Sequence, residues 1–428
     1  MRVLILVHGS GGDVYPQIAI GSALRARGHE VLFVTNPYFE AAVKRAGLEF
    51  IPTGSEAEGR QAIENPELWQ RGKGLGVLFN GVLDAMPATY EIVRKYYEPG
   101  RTVVVGNALA FGARVAHDKL GVPLASVHLQ PVLLRSLNEQ PGVVTPPGWR
   151  PVVRPLRRVL TAMLDRWVFD PAIVPRLNQF RSGLGLPPVR RVLKEWIHSP
   201  QMVLGMFPEW YGRPQPDWPP NTYLTGFPLF DQTETESFSG EVEQFLEQGS
   251  APLVFTAGTA MVFAQRFFAV SAAVCRKLGR RGLLLTRFAE QLPAELPPGV
   301  MHVPYAPFSA LLRRASALVH HGGIGTASQA LAAGIPQLVV PANFDQPDNA
   351  ARLRRLGVAE SVRAPGYTES AVTAALNRLL TSGEVRNACT DAALKIQRAS
   401  DPMAATCRHI ESLVVTEKAI SIPAGQSR

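Results

Sequence analysis

Residues 317–346 read ALVHHGGIGTASQALAAGIPQLVVPANFDQ. The apolar run Ala317 to His320 ends in a glycine turn, His320-His321-Gly322-Gly323-Ile324-Gly325-Thr326. A small-residue helix over Thr326 to Ala333 follows, and Gln337 to Val340 is apolar again. Strand, glycine turn, helix and strand in so short a space predict a parallel sheet with right-handed crossovers. Backbone N–H groups at such a turn, with the dipole of the helix behind them, make an anion site. Glycines let a diphosphate come close to the backbone. Past the second strand, Asp345 and Gln346 offer acceptor oxygens and an amide, which suits sugar hydroxyls. Taken alone, the tandem histidines read equally well as a satisfied structural pair.

The same alternation runs outward in both directions. In the first half, strands are read at Val3 to Val7, Glu30 to Thr35, Glu49 to Pro52, Thr102 to Val105 and Leu124 to Val127. Helices are read at Tyr15 to Arg27, Tyr38 to Ala46 and Phe111 to Leu120. In the second half, strands at Leu253 to Thr256 and Gly282 to Thr286 flank a helix over Phe263 to Leu278, and a further helix covers Asn349 to Leu356. Residues 136–150 are rich in Pro and Gly and read as a loop; the prolines of 207–235 read as an extended linker. The expectation is an α/β protein of two doubly wound Rossmann-like domains facing across a cleft, with ligands beyond the carboxyl ends of the strands.

Length and composition agree. At about 150 residues per domain, 428 residues suggest two to three domains. Hydrophobic residues at 46% and charged residues at 18% exclude a wholly disordered chain and a coiled coil. No stretch of 18 apolar residues predicts a transmembrane helix, and MRVLILVHGSGG reads as a first buried strand rather than a signal peptide. Cys275, Cys389 and Cys407 are odd in number and lack metal spacing, which suits a reducing, cytoplasmic setting. The net charge of +9 is local. Nine arginines between Arg150 and Arg191, opposed by Asp165 and Asp170, carry +7 of it. Such a patch suggests anionic lipid at the inner membrane surface, an acidic substrate or a partner surface. No motif for nucleic acid accompanies it.

The other glycine loop, His8-Gly9-Ser10-Gly11-Gly12-Asp13-Val14-Tyr15-Pro16, fails as a dinucleotide fingerprint. The third glycine would fall at Val14, and Asn36 stands where an acidic residue should end the second strand. Asp13 reads either as a helix N-cap, with Pro16 in the first turn, or as a carboxylate placed to take a proton. His8 either tunes Asp13 or only ends the strand.

With these motifs in view, the chain resembles the UDP-glycosyltransferase family of inverting enzymes, whose two-domain fold is called GT-B. Gly12-Asp13-Val14-Tyr15-Pro16, LKEWIHSPQ (193–201), TGFPLFD (225–231), Pro252 to Thr256, Tyr305-Ala306-Pro307 and His321 to Asn349 carry the likeness. It covers nearly all of residues 1–415 and is strongest toward the bacterial branch of sterol, antibiotic and rhamnolipid enzymes, above all rhamnolipid rhamnosyltransferases. The resemblance implies an acceptor-binding domain over 1–207, a linker over 208–250, a nucleotide-sugar domain over 251–403, and a helix with tail over 404–428 returning toward the first domain. It implies Asp13 as the base. It implies His321 on the donor diphosphate, with Gly323, Gly325 and Thr326 as backbone cradle and Thr259 facing the phosphates. Tyr305 and Ala306 would hold the pyrimidine, and Asp345 and Gln346 the donor sugar. His8, Gly12, His128 and Leu133 stand on the acceptor side.

The co-substrate implied is a dTDP- or UDP-linked hexose, and the acceptor a hydrophobic, lipid-like hydroxyl compound. Retaining enzymes of this fold often carry Glu-x7-Glu; no Glu lies between Ala317 and Ala359, which favours inversion. No Asp-x-Asp occurs there, so no metal is assigned. Competing readings are a sterol or polyketide glycosyltransferase, a sugar-nucleotide epimerase of the same fold, and an inactive binding partner of a glycolipid pathway.

Overall fold

The computed structural model describes residues 1–70, 72–139, 154–230, 238–259 and 261–420. They form two compact units. One holds the described residues up to 228 together with those from 400 onward, and the other the described residues from 229 to 399. The first contains a seven-stranded sheet: β1 (Arg2–Leu6), β2 (Glu30–Thr35), β3 (Glu49–Pro52), β4 (Thr102–Asn107), β5 (Leu124–His128), β6 (Met202–Gly205) and β7 (Thr222–Leu224), in the order β3-β2-β1-β4-β5-β6-β7. The second contains β8 (Leu253–Thr256), β9 (Gly282–Leu285), β10 (Val300–Val303), β11 (Ala317–His320), β12 (Gln337–Val339) and β13 (Ala359–Ser361), in the order β10-β9-β8-β11-β12-β13. All neighbouring strands are parallel. Helices cover both faces of such a sheet, so its strands must be apolar throughout. Val3, Leu4, Ile5 and Leu6 of β1 are accordingly all buried, as are Leu253, Val254 and Phe255 of β8.

Five helices matter below: α1 (Gly11–Ala26), α2 (Arg154–Leu164), α3 (Ile324–Ala333), α4 (Gln346–Arg355) and α5 (Pro402–Ile420). Three start earlier than periodicity predicts. α1 begins at Gly11 behind an N-cap at Ser10, so Asp13 is its third residue rather than its cap and Pro16 lies in its interior. α3 begins at Ile324 and α4 at Gln346. The added residues, Gly11 to Val14, Ile324 with Gly325, and Gln346 to Asp348, are mostly glycine or polar and extend no apolar stripe. The segment 208–250 read as linker contributes β7, paired with β6, and a helix over Gly240–Glu247. β7 is too short, and too closely flanked by prolines, to stand out by pattern. Residues 140–150 of the Pro/Gly-rich loop, 231–237 of the linker and the tail beyond 420 lie outside the described residues. No described helix is long and apolar enough to cross a membrane.

A carboxylate is one of the ties that hold α5 within the first unit. Glu411 accepts from Arg27 Nε at 2.7 Å and Nη2 at 2.8 Å, and pairs with His29 Nε2 at 2.8 Å. The Arg27 hydrogen bonds pull its pKa down to about 2. A depressed carboxylate adds stability that is complete above its ordinary pKa and lost as pH falls through the folded value. Glu411→Gln should therefore cost the first unit about 1 kcal/mol at neutral pH, solvent screening having reduced the pair's worth. Urea denaturation from pH 7 down to pH 2 should find the difference shrinking below about pH 5 and gone near pH 2.

Candidate active site

Each sheet reverses its strand order beside its first strand, between β1 and β4 and between β8 and β11. Loops leaving the carboxyl ends at such a reversal border the crevice where open α/β sheets bind ligands. Both glycine loops of the sequence leave at those points.

In the first unit, Asn107 at the end of β4 clamps the backbone of the neighbouring loop. Its Nδ2 donates to the His8 carbonyl at 2.6 Å, and its Oδ1 accepts from the His8 N–H at 3.4 Å. Gly9 follows with φ +129°, and a Cβ there would run into the Asp13 carboxylate, so glycine is required twice over. Asp13 Oδ2 accepts from the Ser10 N–H at 2.9 Å and the Ser10 hydroxyl at 3.4 Å. Desolvation raises the Asp13 pKa to about 6, and the two Ser10 hydrogen bonds oppose it without cancelling it. This carboxylate is thus a far better proton acceptor near neutrality than an ordinary aspartate at about 3.9. Desolvation lowers His8 to about 4, so at neutral pH it brings no positive charge to Asp13. Gly12 is exposed on the first turn of α1.

The other acceptor-side candidates lie elsewhere. His128 is fully buried at the end of β5, its Nε2 2.9 Å from His198 Nδ1, and burial holds both rings neutral. Leu133 is half-buried and packs on the first unit's core.

In the second unit the tandem histidines divide. Buried His320 receives the Gly322 N–H on Nδ1 at 3.2 Å. Its other nitrogen therefore carries the hydrogen and donates to Gln337 Oε1 at 3.0 Å. His320 is the structural histidine. His321 Nδ1 is buried without a partner, and desolvation lowers the ring to about 4, so it is a neutral imidazole at pH 7. A Cβ on Gly258, in the loop after β8, would sit 2.8 Å from this ring, and one on Gly323 would sit 2.5 Å from it. The ring is held between two glycine turns because β8 and β11 are paired through Thr256 and His320.

Gly323 is the N-cap of α3 and has no side chain to cap it. The first intrahelical bond runs from Ala327 N to Gly323 O at 3.0 Å, so the N–H groups of Ile324, Gly325 and Thr326 belong to the uncommitted first turn. Partial positive charge concentrates there. Thr259 is exposed in the β8 loop.

Asn349 joins this cradle to the next loop. Its Nδ2 donates to Gly322 O at 2.9 Å and to Asp345 Oδ2 at 2.7 Å. Gln346 turns its Oε1 back onto the N–H groups of Ala342 and Asn343, at 2.9 and 3.3 Å, so its amide nitrogen is the group left to donate. Between them Phe344 has φ +59°, a left-handed conformation of the kind that collects at functional loops. After β10, Ala306 is buried and Tyr305 half-buried, with the Arg287 guanidinium 5.5 Å from the Tyr305 ring centroid. Asn107, Asn349, Gly258 and Arg287 were not singled out from sequence; the i, i+4 spacing of Asp345 and Asn349 was the one available signal. Among the described residues no group of three or more His, Cys, Asp or Glu could hold a metal ion.

Two parallel α/β units of this order define the glycosyltransferase fold GT-B. The solved glycotransferase of kitacinnamycin matches with a TM-score of 0.75 at 20% identity, over 96% of this chain and 99% of that one. Glycosyltransferase VinC, solved in complex with dTDP, matches with a TM-score of 0.67 at 20% identity, over 97% and 100%. Residues 3–136 match the glycosyltransferase family 28 N-terminal domain, and residues 284–411 the C-terminal domain of erythromycin biosynthesis protein CIII-like proteins. O-mycaminosyltylonolide 6-deoxyallosyltransferase of Streptomyces fradiae is 32% identical over 93% of this chain and 92% of its own length. Glycosyltransferase GtfC of Amycolatopsis orientalis is 28% identical over 98% and 99%. The chain belongs to this family of glycosyltransferases, and it is an enzyme of that class.

The Asp13 environment can be tested directly. Carbon-13 NMR of labelled aspartate side chains should find one carboxyl titrating near pH 6, well above the roughly 3.9 of ordinary aspartates, and that signal should vanish in Asp13→Asn.

Proposed function

We propose that the chain transfers a hexose, with inversion and without a metal, from a pyrimidine nucleoside diphosphate sugar to the hydroxyl of a hydrophobic acceptor. The observation that carries the reading is the uncapped N-terminus of α3 with the unpartnered His321 beside it, tied through Asn349 to Asp345. An anionic diphosphate would receive N–H donors from the first turn of α3 and from neutral His321. The same groups would stabilise charge on the departing diphosphate, which is electrostatic catalysis by pre-placed donors. Tyr305 and Ala306 would hold the base, with Arg287 fixing the Tyr305 ring. Asp345 and the Gln346 amide would take the sugar hydroxyls. Asp13 would accept the acceptor's proton as its oxygen attacks the anomeric carbon. His8 would keep the Asp13 loop in place through its backbone.

The acceptor admits two readings, a hydroxylated lipid or a small natural product. The relative that acts on O-mycaminosyltylonolide favours the second, and its 6-deoxyallosyl donor supports a 6-deoxyhexose such as rhamnose. The rhamnolipid assignment has no comparable support among the relatives named above.

Asp13→Asn keeps the side-chain shape and the acceptor oxygen toward Ser10 but removes the base. Steady-state kinetics should find kcat down by roughly 10²–10⁴-fold with donor affinity nearly unchanged. Full turnover in this variant would exclude Asp13 as the base. Separately, His321→Ala should weaken binding of dTDP or UDP by about 1.5–3 kcal/mol in titration calorimetry, in buffer containing chelator, because a hydrogen bond to a charged group is lost. Unchanged affinity would remove His321 from the diphosphate site.

A further inference from the structure

From sequence, Leu156, Leu160, Met163, Leu164 and Trp167 share one face of a helix, and Arg154, Arg157, Arg158 and Arg166 lie largely away from it. That reads either as a helix packed on the core with a solvated basic face or as a basic face that meets an anionic membrane or steers an acidic lipid. In the structure the apolar stripe faces outward. Leu156, Val159, Leu160 and Met163 of α2, with Trp167 and Val168 of the π-helical turn after it, point outward; Trp167 is 69% exposed and Met163 51%. Six of the eleven large apolar side chains exposed among the described residues fall on this one stretch. Soluble surfaces scatter such side chains singly, and a contiguous run marks a surface that meets something apolar.

Charge identifies what it meets. α2 contains no acidic residue. Asp165 is buried and paired with Arg135, and Asp170 accepts from the N–H groups of Arg191 and Val192. Both carboxylates of the segment are thus engaged by the protein. Arg157 also turns inward, donating to Leu137 O at 2.8 Å. Arg158 and Arg166 remain exposed, Arg158 on the polar side of the helix and Arg166 with its guanidinium 5.8 Å from the Trp167 ring centroid. A second copy of the chain fits poorly. A two-fold contact through this stripe would set its arginines near their own copies, with no carboxylate on the stripe to answer them. An outward row of Leu, Met, Val and Trp on a helix that carries arginines and no acidic residue is instead the pattern of a helix lying in the interfacial layer of a bilayer.

We propose that α2 and the turn after it are a peripheral anchor for an anionic lipid surface, the apolar stripe entering the headgroup boundary and Arg158 and Arg166 pairing with lipid phosphates. This goes beyond the transfer reaction and does not depend on it.

The test is co-sedimentation of the full chain, without substrates, with vesicles of phosphatidylglycerol and phosphatidylcholine at roughly 3:7 and with pure phosphatidylcholine vesicles. Wild type should pellet with the anionic vesicles and much less with the neutral ones, and raising salt to about 0.5 M should weaken the binding. Leu160→Gln/Met163→Gln/Trp167→Gln and, separately, Arg158→Gln/Arg166→Gln should each lower partitioning about tenfold, with circular dichroism unchanged because every substituted side chain is exposed. Wild type left in the supernatant, or the apolar variant pelleting like wild type, overturns the proposal. So does sedimentation velocity that finds a lipid-free wild-type dimer abolished by the apolar variant, which would make the stripe a contact between copies.

Discussion

A parallel sheet that begins at its centre has to reverse direction beside its first strand, and at that point the carboxyl ends of two strands feed loops running opposite ways. This constraint acts twice here. Beside β1 it opens the ground on which Asn107, Gly9 and Asp13 meet. Beside β8 it brings the Gly258 turn against the His321 ring and leaves the N-terminus of α3 uncapped. The chemistry of each unit follows from what the chain puts at that opening. In the first, a carboxylate is desolvated until its pKa approaches neutrality. In the second, a neutral imidazole and an uncapped helix start stand beside a loop carrying Asp345 and Gln346.

An asparagine serves each opening in the same way. Asn107 grips both backbone groups of His8, and Asn349 bridges the carbonyl of Gly322 and the carboxylate of Asp345. A carboxamide both donates and accepts, so it can hold an irregular turn where no ladder partner exists. Glycine loops gain close approach to a ligand at the expense of rigidity, and these side chains restore it.

The fold was legible because buried parallel strands are continuous apolar runs, and those at β1, β8 and β11 stand out in the sequence. What pattern could not supply was direction. The stripe of α2 is plain as periodicity, yet periodicity is silent on whether a stripe meets core or solvent, and here it meets solvent. His320 and His321 are indistinguishable by type; pairing with Gln337 and Gly322 makes one structural and leaves the other unpartnered. β7 was hidden by the prolines that flank it and by its three-residue length. Asp13 was found as a candidate base, but its raised pKa arises from tertiary burial that no local pattern encodes.

The central claim is that the second unit holds a pyrimidine nucleotide sugar while Asp13 activates an acceptor hydroxyl for inversion. The most direct measurement is release of nucleoside diphosphate from a panel of dTDP- and UDP-hexoses, with and without hydrophobic hydroxyl acceptors, together with proton NMR of the product's anomeric centre. The account predicts that at least one donor releases its diphosphate, that an acceptor accelerates the release, and that the product has the anomeric configuration opposite to the donor. Release from no donor of the panel, or a product retaining the donor's configuration, would contradict it.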